Sequence, residues 1–166
     1  MSKRIMAAGG RVGIQLQDTG ELVALIDKIQ ADSSINQKDY WNNIFFIPHL
    51  YANGNPVGWA QDEIGQLGFR PYAEVFQREI GFVPPMIVGE GGPEIKEHPN
   101  DNPKVTQDMH AQYVADVYNQ FTSGKMTDGR PLPDYLLAFC NWVIDSAGKT
   151  DFQNYAWYNN LTAAGD

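Results

Sequence analysis

The sequence predicts an α/β fold built on a parallel sheet, and three observations carry that expectation. Strand-like apolar runs alternate with helix-like segments in the order strand, helix, strand, helix, strand, helix, strand, the pattern of crossover units. The central runs are continuously apolar and not alternating, as strands covered on both faces are. The runs turn polar at their C-terminal ends, where α/β folds keep their ligands. Right-handed crossovers place the helices on a common face if the sheet curls. Half of a closed barrel and an open doubly wound sheet both satisfy this pattern.

The first strand runs from Val12 to Leu16. Leu22, Leu25, Ile26 and Ile29 then recur at helical spacing and give one apolar face to a helix over 21–31, with Asp18 or Thr19 as its cap. The second strand is 43–50, NIFFIPHL, followed by a loop rich in Gly, Asn and Pro. A helix over 71–80 begins at Pro71, which suits a first turn, with Tyr72, Val75, Phe76 and Ile80 along one side. The third strand is 85–90, PMIVGE, after which Gly91 and Gly92 are expected to turn the chain away. In a helix over 106–121, Met109, Tyr113, Val117 and Phe121 recur every fourth residue, flanked by Val114 and Tyr118, and Gly124 stops it. The last strand is 135–143, YLLAFCNWV.

Composition narrows the function classes. The 166 residues fit one domain, and 43% hydrophobic against 19% charged residues describe a folded chain. A net charge of −8, with no run among the twelve basic residues, argues against a nucleic-acid partner. No apolar run reaches the roughly 18 residues of a membrane span. The first ten residues hold too short an apolar stretch for a signal peptide, so the compartment is not fixed. Cys140 is the only cysteine, which excludes an intrachain disulfide, and its apolar surroundings predict burial. His49, His98 and His110 lack metal-ligand spacing. Asp18-Thr19-Gly20 is no glycine-rich phosphate turn, and Gly89-Glu90-Gly91-Gly92 puts an acid where phosphate would come. No nucleophile elbow is present. No cofactor is expected.

The strand ends define a rim. The first strand brings Gln17 and Asp18 there, the second His49 and Tyr51, the third Glu90, and the fourth Asn141, Trp142 and Asp145. A carboxylate, an imidazole, a phenol and an indole suit a sugar. Glu90 is the sharpest signal, because an acid leaving a buried strand is costly unless it is hydrogen-bonded or reached by solvent. The plainer reading is a strand-terminal acid that pairs with a neighbour. His49 can be a structural hydrogen-bonder, and Trp142 a core residue whose N–H needs a partner. Trp59, Tyr155, Trp157 and Tyr158 could stack on sugar, although sealing the fold is the commoner task of such residues.

Three of these segments resemble the second half of retaining clan A glycoside hydrolases, the cellulase- and xylosidase-like (β/α)8 barrels. Pro48-His49-Leu50-Tyr51 resembles the end of the sixth strand, Ile87-Val88-Gly89-Glu90-Gly91-Gly92 the end of the seventh, and Phe139-Cys140-Asn141-Trp142 the eighth. The resemblance implies a partial (β/α)8 barrel, a half barrel of about four parallel strands with crossover helices. It would be a single domain over 1–166, equivalent to strands five to eight. It implies Glu90 as the catalytic nucleophile and His49, Tyr51, Asn141 and Trp142 as carbohydrate-binding residues. Such a nucleophile wants donors near its carboxylate, and Tyr51 and Asn141 are the candidates.

The chain departs from that family in one large respect. The family's acid/base glutamate follows an asparagine at the end of strand four, and this sequence contains no Asn-Glu pair. A whole barrel needs about 250 residues, and retaining hydrolysis needs two carboxylates about 5 Å apart. Asp18, Glu94 and Asp145 are available as substitutes, but none has a motif behind it. The competing class is a non-catalytic carbohydrate-binding or structural half barrel. Four strands leave two unpaired edges, which predicts a homodimer, or else cover by the N-terminal segment or by the tail with Tyr155 and Trp157.

Overall fold

A computed structural model describes residues 2–52, 55, 57–58, 65–95, 105–142 and 156. The elements are α1 (Ser2–Ala7), β1 (Val12–Ile14), α2 (Thr19–Ala31), α3 (Gln37–Asn42), β2 (Ile44–Phe46), β3 (His49–Tyr51), α4 (Phe69–Ile80), β4 (Met86–Gly92), α5 (Gln107–Ser123) and β5 (Leu136–Asn141). The chain is an α/β protein with one parallel sheet. β1 pairs β2, both β2 and β3 pair β4, and β4 pairs β5, every pair parallel.

β2 and β3 are two pieces of one run, interrupted at Ile47 and Pro48. Proline has no N–H to give a ladder, so a break there is expected. The run nevertheless stays in the sheet: the Ile47 N–H donates to the Ile14 carbonyl at 2.7 Å, and the Pro48 carbonyl accepts from Gly89 N–H at 3.2 Å. With these two pieces taken as one lane, the order across the sheet is the order along the chain. Each parallel neighbour is then reached by a crossover containing at least one helix.

Residues that pair in parallel strands point to the same side. Ile44, Phe46, Met86, Val88 and Leu136 point toward the helices and are buried with Leu22 and Ile26 of α2, Trp41 of α3 and Tyr72 and Phe76 of α4. Phe46 and Phe76 meet edge to face at 5.4 Å between ring centroids, a favoured aromatic geometry. Gly13, Phe45, Ile47, Ile87 and Gly89 lie on the opposite, open side, and none is fully buried. Arg11 covers one of them, its guanidinium 5.4 Å from the Phe45 ring centre.

The alternation slips once in β4. Phe46 pairs Met86, but His49 pairs Glu90, so three steps on one strand match four on the other. On the far side Val88 pairs Phe139 and Gly91 pairs Asn141, again with one residue too many in β4. Both neighbours therefore place a bulge at Gly89 and Glu90. A Cβ built on Gly89 would point at Ile47 and His49, and Glu90 contacts His49 and Tyr51. Two consecutive residues thus address the open side, and Glu90 escapes the helix side that Met86 and Val88 occupy.

Several expectations need correction. β4 does not end at Glu90: Gly91 and Gly92 remain paired with Leu50 and Tyr51, and the chain turns only afterwards. Cys140 is exposed. β5 has its own surplus residue, since Met86 pairs Leu136 but Ile87 pairs Ala138. Leu137, 51% exposed, is that residue, and it shifts the later alternation so that Phe139 packs on the core while Cys140 does not. In α5 the buried residues are His110, Tyr113, Val117 and Gln120, whereas Met109 and Tyr118 are exposed. α1 and α3 have no counterpart among the expected elements. The expected caps hold: Asp18 accepts from Glu21 N–H at 2.8 Å, and Gly124 ends α5 in the left-handed region. The far end of the last expected strand, and Trp59, His98, Asp145, Tyr155, Trp157 and Tyr158, lie outside the described residues.

Candidate functional site

Local sequence explains why the polar groups gather at one end. The sheet is parallel, so the C-terminal ends of β3, β4 and β5 share a rim. The register then sets His49 beside Glu90 and Tyr51 beside Gly92. Tyr51 leans back along the rim toward Glu90. Its hydroxyl donates a hydrogen bond to Glu90 Oε2. Nδ1 of His49 lies 3.4 Å from the same oxygen, and the two rings stand nearly perpendicular, 6.2 Å apart. The His49 and Glu90 side chains are 26% and 30% exposed, so the group is held by protein yet open to solvent. A polar contact between two such partly exposed groups contributes little to stability; its worth is positional.

A fourth residue joins from β1. Gln15, one position beyond β1, brings its side-chain nitrogen to 3.4 Å from His49 Nδ1. Sequence reasoning passed over it. The signal that could have found it is the outward alternation of Gly13 and Gln15 on the first strand, next to a second strand ending in histidine.

The other expected residues are placed less centrally. Asn141 stands beside Gly92, its Oδ1 3.4 Å from where a Gly92 Cβ would be. That oxygen is buried without a partner, and no hydrogen bond joins Asn141 to Glu90; Tyr51 is the donor. Trp142 follows β5, partly buried, and its backbone N–H donates to the Gly91 carbonyl at 2.8 Å. Asp18 is engaged as the cap of α2. Among the described residues no three His, Cys, Asp or Glu side chains cluster as metal ligands, and none of the helices described is long and apolar enough to cross a membrane.

Together these observations define an α/β protein that carries a carboxylate, a phenol and an imidazole in mutual contact at the C-terminal rim of a parallel sheet. The chain matches no known family, no curated protein and no solved structure.

Proposed function

We propose that this chain carries a glycoside-hydrolase-type site of the retaining kind, on a sheet that forms the strand-five-to-eight arc of a (β/α)8 barrel. The observation that carries the reading is the hydrogen bond from Tyr51 to Glu90 Oε2, with His49 against the same oxygen. A nucleophilic carboxylate is aimed by donors on one oxygen and attacks the anomeric carbon with the other. In this reading Tyr51 and His49 aim Glu90 and place the sugar hydroxyls, Trp142 stacks on the ring, and Asn141 binds at the rim.

A second reading, a carbohydrate-binding or structural module without catalysis, is favoured by one observation: Asp18, a candidate second carboxylate, is committed to capping α2. Hydrolysis of a panel of aryl glycosides separates the two. The hydrolase reading expects turnover that falls at least 1,000-fold in Glu90→Gln, on the order of the loss when a covalent nucleophile is removed. Turnover that survives Glu90→Gln removes Glu90 from the role. Sugar binding without turnover by the unmodified chain establishes the module. As part of the same reading, two copies associate through their open sides and sheet edges.

A further inference from the structure

We infer that Ile47 is the floor of the rim site, the apolar surface on which the C–H face of a bound sugar rests, and that Gly13 sets the height of that floor. The inference rests on the rim being a carbohydrate site and adds the part of the site that polar groups do not supply. Ligand sites are mostly apolar surface with a few placed polar groups. His49, Tyr51 and Glu90 are the polar groups here. Ile47 precedes His49 by two residues in the same lane of the sheet, is partly exposed, and lies on the open side with it.

Ile47 lies flat across three lanes. Its Cδ1 occupies the place where a Cβ on Gly13 would stand, and its Cγ2 lies 2.6 Å from where a Cβ on Gly89 would stand. The Gly89 position also faces the His49 ring at 3.6 Å, so the floor runs up to the imidazole. Neither glycine takes the left-handed backbone that favours this residue type. What each supplies is room. A large side chain flanked by small residues on neighbouring strands packs flush with the sheet. A side chain at position 13 would lift Ile47 away from the sheet, into the space that His49 and Glu90 face. Gly13 belongs to β1, which does not pair with β4, so its replacement acts on a ligand at Glu90 through Ile47.

Carbon-13 methyl NMR with a panel of methyl glycosides tests this. The Ile47 Cδ1 signal is identified by its loss in Ile47→Val. In the unmodified chain it is expected to show nuclear Overhauser contacts to the ring protons of a glycoside that binds. Gly13→Ala should weaken that glycoside roughly tenfold, the low end of what one methylene does in a ligand pocket. Ile47→Val should cost about fourfold, the worth of one buried methylene. The double variant should bind as Ile47→Val does, because the atom that clashes with a Cβ at position 13 is gone. A double variant that keeps the full Gly13→Ala loss, or a bound glycoside that contacts the His49 ring and not Ile47, overturns the floor and leaves the carbohydrate reading standing. Folding is read from the backbone amide spectrum, and contacts in the unmodified chain decide even if Gly13→Ala does not fold. Binding of no glycoside in the panel removes both the floor and the carbohydrate reading.

Discussion

Gly89 and Gly91 occupy places where a side chain has no room, and the obstacles differ in kind. A Cβ on Gly91 would stand 2.7 Å from the Leu50 carbonyl oxygen and 2.5 Å from Phe139 Cζ; one on Gly89 would stand 2.6 Å from Ile47 Cγ2. The carbonyl belongs to the sheet backbone and cannot withdraw without disturbing the pairing of β3 with β4. The Ile47 side chain can be shortened. Overpacking of this sort costs about 1–3 kcal/mol, and Gly91→Ala is expected to cost more than Gly89→Ala in urea unfolding. Ile47→Ala should recover part of the Gly89→Ala loss and none of the Gly91→Ala loss; a strictly additive Gly89→Ala, Ile47→Ala pair would contradict the packing described. At this scale much was legible. His49, Tyr51 and Glu90 announce themselves as polar residues at the ends of apolar runs. Gln15 does not, because its importance comes from lateral proximity to another strand, which the linear order conceals.

Asp128 anchors the turn between α5 and β5, and its chemistry has a definite pH signature. The Arg130 guanidinium, through Nη2 at 2.6 Å and Nε at 2.8 Å, and the Arg130 backbone N–H at 3.1 Å hold the carboxyl well below the usual carboxylate range, with Arg70 adding a contact at 3.2 Å. The folded state therefore favours the charged form. That contribution is fully present above the ordinary aspartate value of about 3.9 and is lost as pH falls through the depressed folded value. Thermal melts of the parent and Asp128→Asn should differ most at neutral pH and converge in acid; a gap that persists unchanged in strong acid would show that the carboxylate's charge is not the cause. Elements themselves were read well where local chemistry sets them, as at the Asp18 cap and the Gly124 stop. They were misread where distant partners decide. The fourfold repeat in α5 points to Met109, yet the helix is rotated so that Tyr113 donates to Gln66 Oε1 at 3.0 Å and Gln66 in turn donates to Gln120 Oε1 at 3.3 Å. Hydrophobic periodicity cannot register a buried polar chain whose members lie far apart in sequence. Nor can it register bulges, which is why Cys140 was expected inside. α3 escaped notice because six residues with adjacent Tyr40 and Trp41 show no period at all.

For the molecule as a whole, the two sides of the sheet are unequal. One is sealed by helices, and the other leaves Phe45, Ile47 and Ile87 partly exposed, with Leu137 more than half exposed on β5. Among the described residues β1 and β5 each pair on one side only, and unpaired apolar edges recruit further strands. Two copies joined edge to edge would supply the eight strands at which such a sheet closes. A net charge of −8 opposes the association, so the dimer should strengthen with added salt. Light scattering at micromolar concentration is expected to give twice the chain mass; a monodisperse monomer with a cooperative melt at every salt concentration would exclude it. The inequality of the sides has another root in β4, where the two-residue rhythm changes phase once. Because Gly89 is surplus relative to both neighbouring strands, it is the bulge that lets an acid four steps from Met86 share the open side with His49, three steps from Phe46. Without the bulge a strand of the same length would send the acid into the apolar layer beside Met86 and Val88, where a charge is costly to keep, whereas loss of Gly89 would leave it three steps from Met86, as His49 is from Phe46, and still on the open side. The local backbone irregularity, and not the acid alone, is what keeps a charge out of the layer that the helices seal.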